Sequence, residues 1–148
     1  MKYTGIFATI ALFAGTVSAG ETKVKMSDLP AAVQKTVQEQ TKNAQLKGLS
    51  KETENGKTFY EAETMVNGKS RDILVDATGT IVEVEEATTL DGLPAAVKTT
   101  LEKAAAKGKI VRVETVTKGS EVSYEAVVNK NGKKSEVAVA ADGTLKKN

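Results

Sequence analysis

The pentapeptide Leu29-Pro30-Ala31-Ala32-Val33 recurs unchanged at Leu93-Pro94-Ala95-Ala96-Val97, 64 residues further on. Laid without gaps on 93–148, residues 29–84 are identical at 17 of 56 positions. The matches include Tyr60-Glu61-Ala62 with Tyr124-Glu125-Ala126, Asn67-Gly68-Lys69 with Asn131-Gly132-Lys133, and Gly79-Thr80 with Gly143-Thr144. A chance match would not keep turn glycines and apolar residues in step for so long, so the period signals duplication. A single unit of roughly sixty residues is marginal on its own, because it buries too small a share of its surface. Two units are therefore expected to share one sheet or one core.

Each unit reads as a helix followed by a strand meander. Pro30 and Pro94 suit the first turn of a helix, where a missing N–H costs nothing, and Asp28 and Asp91 lie upstream, near the positive end of the helix dipole. Leu29, Ala32, Val33, Thr36 and Val37 fall on one helical face, as do Leu93, Ala96, Val97, Thr100 and Leu101. The remainder alternates with period two, punctuated by Asn55-Gly56, Asn67-Gly68, Gly79, Lys118-Gly119, Asn131-Gly132 and Asp142-Gly143. Asn-Gly and Asp-Gly supply the positive φ angles of tight hairpins, which force antiparallel neighbours. Strands are expected near 46–53, 58–66, 70–76 and 80–86, then near 109–117, 121–129, 133–140 and 143–146. Gly48 would break the first of these.

Ahead of the repeats, residues 5–17 form an uncharged apolar run after Lys2, and Val17-Ser18-Ala19 ends it in small or compact residues. This pattern predicts a secretory signal peptide cleaved after Ala19. The run is shorter than the roughly 20 residues a bilayer span requires. The chain has 21 basic and 19 acidic residues with both signs interspersed, so it lacks the basic stripe of a nucleic-acid binder. It has no Cys, no His and no Trp. An exported chain without Cys must be held by packing alone. Without His or Cys there is no imidazole base for a nucleophile and no common zinc site.

Strand parity separates two faces. Tyr60, Ala62, Thr64 and Val66, with Ile73, Val75, Tyr124, Ala126, Val128, Val137 and Val139, are expected under the helices. The opposite face would carry Phe59, Glu61, Glu63 and Met65, then Asp72, Leu74 and Asp76, and in the second half Ser123, Glu125, Val127, Asn129, Glu136 and Ala138. It reads either as a solvated side, common in antiparallel sheets, or as a docking surface with apolar anchors in an acidic rim. The carboxylates of Glu61, Glu63, Asp72 and Asp76 could approach one another, but an open sheet lacks the walls of a catalytic cleft. Glu83-Val84-Glu85 reads as a solvent-facing strand side. The segments 76–79 and 142–143 do not complete a calcium loop and read as turns. No catalytic residue, metal ligand or cofactor is assigned.

The stretches LPAAVQKTV, GKTFYEAE, NGK and DATGTIVEVE, with LPAAVKTTL, SYEAVV, NGKK and AADGTL in the second half, resemble PepSY-like domains in tandem, of the exported β-lactamase-inhibitor-like type. The resemblance implies an α+β fold of two tandem αββββ repeats, with antiparallel sheet and helices packed on one face. It also implies a non-enzymatic role, since such domains restrain peptidases in the envelope and present a concave sheet face to an enzyme. The expected divisions are a signal peptide at 1–19, an N-terminal segment at 20–28, repeats at 29–86 and 93–148, and a linker at 87–92. The expected function is a periplasmic or secreted binding or inhibitor-type module that engages a protein partner, such as an envelope peptidase, and neither nucleic acid nor membrane. The residues assigned to that contact are Phe59, Glu61, Glu63, Met65, Asp72, Leu74, Glu125 and Val127. The alternative is a periplasmic small-ligand or cation-binding protein that uses the clustered carboxylates.

Overall fold

The computed structural model describes residues 21–146, and the signal segment expected at 1–19 lies outside them. The strands are β1 (Thr22–Lys23), β2 (Gln45–Glu54), β3 (Lys57–Val66), β4 (Lys69–Asp76), β5 (Ile81–Ala87), β6 (Lys109–Lys118), β7 (Glu121–Lys130) and β8 (Lys133–Ala140). They form one antiparallel sheet whose spatial order is the chain order. Helix α1 (Ala31–Gln40) lies between β1 and β2 in the chain, and α2 (Ala95–Ala105) between β5 and β6.

This corrects the expected fold class. Two tandem αββββ repeats of α+β type do not form; the molecule is mostly one eight-stranded sheet carrying two short helices. Strand β5 joins the halves: it pairs with β4 through Arg71–Val75 and with β6 through Glu114–Thr117, so one ladder runs from the first half into the second. The physical reason is the cost of an unpaired edge: β5 satisfies backbone groups on both sides only by joining β6. The halves are also unequal. The strand expected at 143–146 is reduced to an isolated bridge between Val139 and Leu145, while β1, which the sequence did not announce, caps the edge of β2.

Local signals explain the hairpins. Asn55-Gly56, Asn67-Gly68 and Asn131-Gly132 all have positive φ at both residues, the twist that tight antiparallel turns require. Pro30 and Pro94 stand one step earlier than expected. Their ψ values of 146° and 140° put them just outside the helices, where their carbonyls accept the first helical N–H groups, from Gln34 at 2.9 Å and Lys98 at 3.0 Å. Gly48 does not break β2. It sits at a register shift opposite Glu63, and a Cβ there would lie 2.9 Å from Glu63 Oε2.

The core lies between the helices and one sheet face. Leu29, Val33 and Val37 pack on Tyr60, Ala62, Ile73 and Val75; Leu93, Val97 and Leu101 pack on Val113, Ala126 and Val139. The same device docks each helix. Thr36 Oγ1 donates to the Gly79 carbonyl at 2.6 Å, and Thr100 Oγ1 to that of Gly143 at 2.7 Å. Both glycines have φ near +90°, and a Cβ at either would fall within 3 Å of Ala32 or Ala96. A turn can press this closely against a helix only where both sides are small.

Candidate functional site

Strand alternation sends every second residue to the face away from the helices. Among the described residues no helix packs on that face; both apolar clusters lie on the other. Register then decides which side chains meet. Glu63 stands opposite Asp72, and Asp72 opposite Glu85. Leu74 stands between Glu61 and Glu83. Glu85 faces Val116, Glu114 faces Glu125, and Val127 faces Glu136. Acids thus run across β3, β4 and β5 and continue across β6, β7 and β8.

Five of these acids are buried: Glu61 is 4% exposed, Glu114 6%, and Asp72, Glu83 and Glu85 7% each. Like charges on neighbouring strands repel, and burial penalises the ionised form. Both effects show in the protonation equilibria. Burial, then the charge of Asp72, pushes Glu61 up to about 8. Burial, then Glu136, pushes Glu125 up to about 7. Burial raises Asp72 to about 6, against a 3.1 Å hydrogen bond from the Thr64 N–H that favours its ionised form. Burial, reinforced by Glu114 and Glu83, holds Glu85 well above the ordinary carboxylate range. Two cations enter this field: Arg112 pairs with Glu114, and Lys118 Nζ lies 3.0 Å from Glu83 Oε2. Glu61 Oε1 is buried without a hydrogen-bond partner.

All eight residues assigned from sequence lie on this face. Glu63 is exposed; Phe59, Met65 and Glu125 are half-buried; Glu61, Asp72, Leu74 and Val127 are buried. Asp76 belongs instead to the β4–β5 turn, where its Oδ1 accepts from the N–H groups of Thr78 and Thr80 at 2.9 and 3.1 Å. The reading of Glu83 and Glu85 as solvent-facing is corrected: on an interior strand, Leu74 and Lys118 cover Glu83, and Asp72 and Val116 cover Glu85. Glu114 was missed altogether. Its signal was the alternation Val113-Glu114, but its place beside Glu85 depends on β5 pairing with β6. Asp72, Glu85 and Glu114 each bring a carboxylate oxygen within 4.8 Å of the others. Such a face can store protons, attract cationic groups, or offer hard oxygen ligands to a metal ion.

No sequence-family profile matches the chain, and no curated protein does. Solved structures do. A protein of Bacteroides eggerthii named as periplasmic superposes with a TM-score of 0.66 at 19% identity, over 80% of this chain and 86% of its own. A DUF2874 family protein of Bacteroides ovatus gives 0.63 at 20%, over 80% and 85%. A BLIP-like protein of Bacteroides fragilis gives 0.58 at 20%, over 80% and 84%. At these identities the likeness establishes a shared fold, and the chain has the fold of these BLIP-like and DUF2874 proteins.

Proposed function

We propose that this chain is a periplasmic, non-enzymatic binding module that captures a cationic segment of a protein partner, such as an envelope enzyme, on its acidic sheet face. The observation that carries the reading is a continuous band of carboxylates across six strands, with half-buried Phe59 and Met65 at its margin. Burial favours the protonated form of Glu61 and Glu85, and an approaching cationic group favours their ionised form, so capture and ionisation are linked. Glu63, Glu125 and Glu136 are accessible enough to make direct contacts. Phe59 and Met65 beside the acids add apolar contact area to the charged band. The fold shared with a BLIP-like protein supports an inhibitor-type role, and its periplasmic neighbours support that location.

Calorimetric titration of the purified protein, in chelator, with a Lys/Arg-rich peptide and a Glu-rich control peptide tests the reading. The basic peptide is expected to bind, with affinity falling as salt rises. Phe59→Ala and Glu125→Gln should each weaken it by about tenfold. Equal affinity for both peptides, or full affinity in both variants, defeats it.

A further inference from the structure

We infer that the turn from α2 into β6, together with the β7–β8 turn, forms a basic tip that docks on an anionic lipid surface. Both charge signs are mixed along the chain, but the fold collects one of them here. Residues 103–113 and 126–135 contain no Asp or Glu. Strand pairing brings the two stretches together. Lys109 stands opposite Asn129, Asn129 opposite Lys134, and Lys130 opposite Lys133. Gly108 sits against the same end of β7, where an added Cβ would meet Val128 Cγ1 and the Asn129 carbonyl. Lys107 and Lys109 flank that glycine in the chain. Neighbouring strands lie about 4.8 Å apart, so lysines on β6 and β8 are separated by roughly one Debye length and act in concert.

Several observations set the tip apart from ordinary solvated charge. Lys107, Lys109, Lys130 and Lys133 are exposed and, among the described residues, have no ion pair, whereas Lys98, Lys118 and Lys146 each pair with a carboxylate. Lys130 and Lys133 face each other directly across the turn, a like-charge pairing that costs stability. The fold does not impose these cations: the residues 64 positions earlier are Asn43, Gln45, Val66 and Lys69, so the matching end of the first half keeps only one of the four. Val111, 46% exposed at the β6 register shift, adds an apolar side chain beside the lysines. Lysines around an exposed aliphatic residue suit a headgroup layer, where cations meet lipid phosphates and an apolar group reaches the acyl boundary. Neither stretch holds an aromatic residue, so the base stacking used to bind single-stranded nucleic acid is absent. The expectation of no membrane partner is revised for surface contact alone; among the described residues no helix is long and apolar enough to cross a membrane. The tip lies at strand ends, so docking there leaves the acidic face open to a protein partner.

Co-sedimentation of the purified protein with vesicles of phosphatidylglycerol mixed into phosphatidylcholine tests the inference, with vesicles of phosphatidylcholine alone in parallel. Binding to the anionic vesicles only, weakening as salt rises, is expected. Lys107→Glu combined with Lys133→Glu should weaken it by about tenfold or more, and Val111→Ser by about threefold. Lys57→Glu, at an exposed turn of the first half, should leave it unchanged. Circular dichroism checks that each variant is folded; should the double variant fail, either single reversal carries the test, with a loss of about threefold. Vesicle binding is read without a protein partner, so it fails independently of the acidic-face reading. No binding to anionic vesicles at low salt, equal binding to both vesicle types, or undiminished binding in the folded charge-reversed protein overturns the inference. Displacement from the vesicles by a Glu-rich peptide at equal charge concentration overturns it too, and assigns the tip to an acidic protein.

Discussion

The two faces of this sheet are built from the same strands and bury their residues to similar depths, yet by opposite means. Tyr60 and Ala62 lie beneath α1, and Glu61, between them in the chain, is equally buried on the other side. Ile73 anchors the core while its neighbour Asp72 is wedged among acids. On the helix side burial releases free energy, about 1.5–3 kcal/mol for each large aliphatic side chain. On the acidic side burial costs free energy, because each carboxyl must give up water, its charge, or both. One face holds the fold together. The other is tolerated by it, and a costly arrangement kept in the middle of a sheet marks a place where something else is gained.

The largest expected effect tests the covered face. Ile73→Ala should lower stability by about 2–5 kcal/mol in urea unfolding, since α1 cannot collapse into the gap. A loss below about 1 kcal/mol would mean that the core does not carry the fold.

The pH dependence tests the other face and is next in size. Glu61, Asp72, Glu85 and Glu125 bind protons more tightly folded than unfolded. Their stabilising contribution is therefore complete below the ordinary carboxylate range and is lost as pH rises through about 6 for Asp72, 7 for Glu125 and 8 for Glu61. In chelator the protein should lose on the order of a few kcal/mol between about pH 5 and pH 9. Glu61→Gln should flatten the upper part of that decline, and a stability that rises over this interval would contradict the electrostatic picture.

A smaller effect sharpens the picture of helix docking. Gly79→Ala and Gly143→Ala each force a Cβ against a helix at positive φ, and each should cost about 1–3 kcal/mol. Gly56→Ala, also at positive φ but with open space around it, should cost less. Equal losses at all three positions would assign the effect to backbone conformation alone.

Much of this was legible residue by residue. Alternation along 58–66 and 70–76 separated Tyr60, Ala62 and Ile73 from Glu61, Glu63 and Asp72, because strand parity is a local property. Asn-Gly pairs placed the hairpins because their φ angles are a local demand. The division into two repeated α+β units failed for want of a non-local fact. A 64-residue period in the chain carries no information about whether β5 ends one body or continues into the next. The same gap hid Glu85 and Glu114, which are 29 positions apart in sequence and become neighbours only when β5 pairs with β6.

The sequence by itself determined which segments are helical, where the hairpins turn, which residues share a strand side, and that neither imidazole nor thiol chemistry is available to this chain. Tertiary structure decided that the shared sheet or core expected for two units is one open ladder of eight strands, and that acids from its two halves converge at the centre. Local steric preferences act over a few residues and can be read in order. Pairing between strands is settled by the competition of every backbone edge for a partner, and that competition has no counterpart in any short stretch of the chain.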